Sequence, residues 1–233
     1  MIGGKNGIPG GKILAVLFII GELVLFPFIQ LTPADVSSFC SYLAIVLAAL
    51  FAIFVCKCKR EENLIRLGIL FTLVADYFLV LCNDAQLPGV ISFIFVQGAY
   101  FAYLFIREER KTVRKANVIT RVALSAMLSM AAFAVLGKDA DVLSVVSVIY
   151  YANLLSNIVF AFLLGREERI FSVGLVLFAM CDLCIGLEVL FSSYLDSSAL
   201  SFFYGSNINL PWMFYQPSQV LIALNIFCKH NRK

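Results

Sequence analysis

The sequence predicts an all-α bundle embedded in a membrane, on three observations. Of the 233 residues 61% are hydrophobic and only 14% charged, with a mean hydropathy of +0.93. Such a chain has too little polar surface to coat a water-soluble globule. Its apolar residues fall in runs of about 20, the length a helix needs to cross roughly 30 Å of hydrocarbon. Its 18 Lys and Arg residues gather near the ends of those runs and almost all on one side, as topology signals do. No nucleic-acid or nucleotide partner is expected. Basic stripes with interleaved aromatics are absent from the sequence, and Gly11-Lys12 lacks the spacing of a phosphate-binding loop.

The elements follow in order. Residues 1–12, MIGGKNGIPGGK, read as a flexible tail. The first span, 13–31, is too long for the apolar core of a signal peptide, carries Glu22 and lacks a small-residue cleavage site. Seven more spans are expected at 39–56, 64–82, 88–106, 116–136, 142–164, 170–191 and 209–228, joined by short loops that make neighbours antiparallel. Seventeen of the Lys and Arg residues fall on the side that holds both termini, and Lys138 stands alone on the other. Positive loops stay cytoplasmic, so both termini are expected in the cytoplasm and the protein in a cell membrane, plasma or inner. The chain 1–233 is thus one integral membrane domain.

Seven cysteines (Cys40, Cys56, Cys58, Cys82, Cys181, Cys184, Cys228) lie in or beside apolar segments. They read as small buried hydrophobes. Cys181 and Cys184 form a CxxC without a second pair, and the one histidine, His230, is in the terminal tail, so no metal site and no cofactor is expected.

An internal repeat is the most informative feature. REENLIRLGILFTLVAD (60–76) matches REERIFSVGLVLFAMCD (166–182) at an offset of 106, placing Arg60, Glu61, Glu62, Gly68 and Asp76 on Arg166, Glu167, Glu168, Gly174 and Asp182. REER recurs at 107–110. Four spans separate the copies, so the halves, about 13–115 and 116–233, share one orientation and predict a 4+4 parallel pseudo-repeat. Asp76 and Asp182 each lie 12 residues past the start of their span, about 18 Å deep at 1.5 Å per residue. A carboxylate there costs at least about 2.5 to 3.5 kcal/mol on an insertion scale, so each is expected to face a polar interior and mark a site. Paired across a pseudo-twofold axis, two carboxyls can divide into one acid and one base. The alternative is that each only hydrogen-bonds a neighbouring helix.

Other polar residues inside the spans form stripes at helical spacing: Tyr150, Asn153 and Asn157; Trp212, Tyr215, Gln216 and Gln219; and a shorter patch of Gln97 and Tyr100. They could line a wet cavity around the carboxylates, or bond helix to helix without one. Glu22 is a third deeply placed acid, and Glu188 lies nearer the outer boundary.

The segments GILFTLVADYFLVL, GLVLFAMCDLCIGLEVL and YQPSQVLIAL resemble the YhhN family of eight-span proteins, whose characterised members are lysoplasmalogenases. The resemblance covers most of the chain. It implies that Asp76 and Asp182 are a catalytic pair and that the substrate is a lysoplasmalogen or similar single-chain lipid in the bilayer. Three positions depart from the family pattern: Ser41-Tyr42 replaces a Lys-Pro pair, Gln97 replaces a His ahead of Tyr100, and Cys181 replaces a Ser before the second aspartate. The competing expectation is a small transporter or lipid-binding protein that uses the same carboxylates without chemistry.

Overall fold

The computed structural model describes residues 9–55, 60–82, 85–194 and 208–231. Within them lie eight α-helices and no strand. Helix α1 is described over Pro9–Leu31. Residues 9–12 of the expected tail are therefore helical, and residues 1–8 lie outside the described residues. Helix α2 (Ala34–Phe54) begins ahead of its expected boundary, directly after Pro33. Asp35 favours that early start through the dipole of the first turn, and Ser37 Oγ donates to the Ile29 carbonyl at 2.7 Å.

Helix α3 (Glu62–Asp76) passes at Asp76 into a π-helix, Tyr77–Cys82. Helices α4 (Gln86–Arg107) and α5 (Lys111–Leu136) come next. The first turns of α5 hold Lys111, Arg114 and Lys115, residues that hydropathy assigns to a loop. Helix α6 (Val142–Leu163) is capped by Asp141, which accepts from the Ser144 amide at 2.8 Å; hydrogen bonds from Ser144 hold its carboxyl below the usual range. A 3₁₀ turn (Arg166–Glu168) leads into α7 (Arg169–Tyr194), and α8 (Leu210–Asn231) closes the described chain.

Seven helices, α1 to α7, are long and apolar enough to cross a membrane. Helix α8 is 22 residues long but carries Gln216, Pro217, Ser218, Gln219 and Asn225, which lower its hydropathy below theirs. Gln216, Ser218, Gln219 and Asn225 are all buried, so its polar atoms turn into the bundle.

The broadest packing is α7 against α8 and α3 against α4, followed by α1–α2, α4–α6 and α5–α6, then α2–α3, α6–α7 and α2–α8. A glycine sits in each of the two broadest interfaces. A Cβ on Gly68 would stand 2.2 Å from Tyr100 Cε1, and one on Gly174 would stand 2.8 Å from Ile222 Cγ1. Only hydrogen fits in those gaps, which is why the repeated motif carries glycine there. Large buried side chains fill the centre, among them Phe18, Phe51, Tyr100, Tyr103, Phe171 and Phe178. The outside is apolar as well, with Leu23, Phe54, Ile119, Val122, Met130 and Val135 exposed, as suits a surface that meets acyl chains. Helix α5 buries only Asn117 and lies at the periphery.

Candidate functional site

The two motif aspartates arrive from opposite halves of the chain at one aromatic cluster. Asp76, the last residue of α3, is 2% exposed, and the Tyr215 hydroxyl of α8 donates to its Oδ2 at 2.6 Å. Asp182, midway along α7, is half-buried, and the Tyr150 hydroxyl of α6 donates to its Oδ2 at 2.5 Å. Phe178 lies between the tyrosines, its ring centroid 6.4 Å from Tyr150 and 5.3 Å from Tyr215. Phe93 of α4 stacks on Tyr150 at 5.5 Å, and Trp212 meets Tyr215 edge-on at 5.0 Å. Each carboxyl thus keeps one oxygen on a phenol and a second oxygen for other chemistry.

The remaining predicted residues are spread over several places. Gln219, one turn beyond Tyr215, is buried, and both of its amide atoms lack a partner among the described residues. Glu22 is bound by Gln216, whose Nε2 donates to its Oε2 at 2.7 Å and to its carbonyl at 2.8 Å. Glu22 and Gln216 line a groove of about 240 Å³ with Ile19, Leu23, Phe26 and Pro217, apart from the aspartate pair. The stripe on α6 splits: Tyr150 serves Asp182, while Asn153 and Asn157 face Arg121 of α5, whose guanidinium donates to their Oδ1 atoms at 2.7 and 2.8 Å. Gln97 joins this second group through Asn157 Nδ2 at 2.9 Å. Tyr100 packs its ring on Gly68 and edge-on to Phe171 at 5.2 Å, a packing contact away from the carboxyls. Glu188 is exposed.

Arg121 escaped the sequence reading because a basic residue near a span end counts as a topology signal. The available clue was Asn117, one turn earlier, which accepts from Arg121 Nη2 at 3.2 Å. The three REE segments also have a purpose that spacing does not reveal. Arg107, from the middle copy, meets Glu61 at 3.4 Å, Glu167 at 2.7 Å and Glu168 at 3.3 Å, carboxylates of both repeat halves. Beside it, Arg110 grips Glu108 through Nε and Nη2 at 2.8 Å each and holds that carboxyl down at about 2. Among the described residues no group of three or more His, Cys, Asp or Glu side chains is placed to hold a metal ion.

The family model of the YhhN family matches residues 36–226, which is most of the chain. The chain belongs to the YhhN family, and its seven apolar spans make it a multi-pass membrane protein. No curated protein and no solved structure matches it.

Proposed function

We propose that this member of the YhhN family is a membrane-embedded hydrolase similar to lysoplasmalogenases, cleaving the vinyl-ether bond of lysoplasmalogen-type lipids with Asp76 and Asp182. The observation that carries the reading is the pair itself: two intramembrane carboxyls, one from each repeat copy, held by phenols on either side of one aromatic cluster. Intramembrane carboxyls are costly, and a matched pair beside rings suited to an apolar chain fits acid/base work on a lipid.

The chemistry needs no more than two carboxyls and water. One carboxylic acid gives its proton to the alkenyl carbon remote from oxygen, forming a C–H bond and an oxocarbenium ion. The other, a carboxylate, stabilises that cation and takes a proton from the water that adds to it. The resulting hemiacetal breaks its C–O bond, and a fatty aldehyde and a glycerol hydroxyl leave. Tyr150 and Tyr215 fix which carboxyl oxygen faces the lipid, and Gln219 offers amide atoms to the attacking water.

We further propose that α8 is an eighth span, that the halves form a 4+4 pseudo-repeat and that both termini face the cytoplasm of a plasma or inner membrane. The packing pairs support the repeat, since adding four to each helix number turns α3–α4 into α7–α8, α1–α2 into α5–α6 and α2–α3 into α6–α7. The charge asymmetry supports the orientation.

The test is aldehyde release from a 1-alkenyl lysophospholipid by the purified protein in nanodiscs. Asp76→Asn and Asp182→Asn should each abolish release while the fold persists. Full activity in both variants, or lipid transfer between vesicles without aldehyde, would overturn the reading.

A further inference from the structure

Arg121 is a cation within a membrane span that has only neutral partners. Its Nη1 and Nη2 donate to the side-chain oxygens of Asn153, Asn157 and Asn117, and its plane lies over the Phe101 ring at 4.4 Å. Among the described residues no carboxylate pairs with it, although Arg107 holds three and Arg110 one. Amide dipoles solvate a guanidinium but leave its net charge uncompensated in a medium where charge is costly. Two donors in the same network also lack acceptors: Arg121 Nε and Gln97 Nε2, both shielded from solvent. Buried donors without acceptors, next to an unbalanced positive charge, describe a site that is completed by an anion.

Its distance from the carboxyl pair identifies the anion. Asn153 and Asn157 come after Tyr150 on one face of α6 by three and seven residues, about 4.5 and 10.5 Å along the axis. The guanidinium bridges the two, so it lies between those heights relative to the tyrosine that holds Asp182. In a 1-alkenyl glycerophospholipid about five bonds separate the vinyl-ether oxygen from phosphorus, roughly 6 Å when extended.

We propose that Arg121, with Gln97 and the asparagines around it, binds the phosphate of the lipid substrate and so sets the position of its vinyl ether at the aspartates. This inference rests on the hydrolase reading. Arg121 is the specificity-determining contact, through its uncompensated charge and the Nε–H that the asparagines leave without an acceptor, beside Gln97 Nε2.

The experiment compares two substrates in nanodiscs, 1-alkenyl-glycerophosphoethanolamine and 1-alkenylglycerol, which lacks the phosphate. Arg121→Gln should raise the ratio of the first KM to the second about ten-fold. Equal KM rises for both substrates, or no rise, would overturn the proposal. Should Arg121→Gln fail to fold, Arg121→Lys carries the test: a rise of about three-fold confined to the phosphate-bearing lipid is expected, and no selective rise overturns it. Competition by inorganic phosphate without discrimination between the two lipids would assign the site to a free anion and also overturn it. If the wild-type protein cleaves neither lipid, the hydrolase reading falls alone. Arg121 is then judged by binding of a fluorescent saturated lysophosphatidylethanolamine, expected to weaken about ten-fold in Arg121→Gln; equal binding would overturn the proposal.

Discussion

In the first half of the molecule the motif aspartate ends an α-helix and a π-helix takes over; in the second half the helix runs on unbroken to Tyr194. The two segments match up to the aspartate and diverge at Tyr77-Phe78-Leu79 against Leu183-Cys184-Ile185. A π-helix admits an extra residue per turn and re-aims the side chains beyond it. Asp76 ends up enclosed at 2% exposure, with its phenol from α8, whereas Asp182 remains half-open, with its phenol from α6. Two matching sequence segments thus present carboxyls that the local backbone and neighbours make unequal: one is sealed, the other less enclosed.

That contrast can be broken most severely at the carboxyls. Asp76→Asn and Asp182→Asn should each lower aldehyde release by about 10²- to 10⁴-fold, the usual contribution of a positioned acid or base; one variant with full activity would reduce the pair to a single working group. Next come the glycines. Gly68→Ala, facing the buried Tyr100 ring, should cost about 1–3 kcal/mol of stability through overpacking, more than Gly174→Ala against Ile222, as read by thermal unfolding in detergent. An equal effect at both would deny that the first interface is the tighter.

The phenols give a subtler comparison. Tyr215→Phe strips a sealed carboxyl of its donor and should cost about 1–3 kcal/mol. Tyr150→Phe should cost less, because Asp182 is less enclosed than Asp76 and its carboxyl is freer to meet another donor. The smallest effect is expected far from both. The Glu108 carboxyl is held at about 2, against an ordinary 4.5, chiefly by the Arg110 side chain, so this pair adds stability above pH 4.5 that is lost as pH falls toward 2. Glu108→Gln should remove that part of the acid sensitivity and shift Tm at pH 7 by only about 1–3 °C.

Much of this architecture is readable from sequence because the bilayer imposes length and apolarity on each helix. The boundaries that differ, at α2 and α5, lie where Asp35, Lys111, Arg114 and Lys115 sit in helical turns that hydropathy scores as loop. The aspartates stand out by depth and repetition, and Tyr150 and Tyr215 by their stripes. Periodicity gives a shared face but not its partner, so Asn153, Asn157 and Gln97, expected beside the carboxyls, instead surround Arg121. Nothing in the apolar run YFLVLC announces a π-helix, since a change of hydrogen-bond register leaves no mark on hydropathy.

One guanidinium at the end of α4 grips carboxylates from both copies of the repeat. Like the pivot of a pair of calipers, Arg107 joins the two arms at one end of the bundle. A parting of the halves that kept these ion pairs would open the bundle at the opposite end.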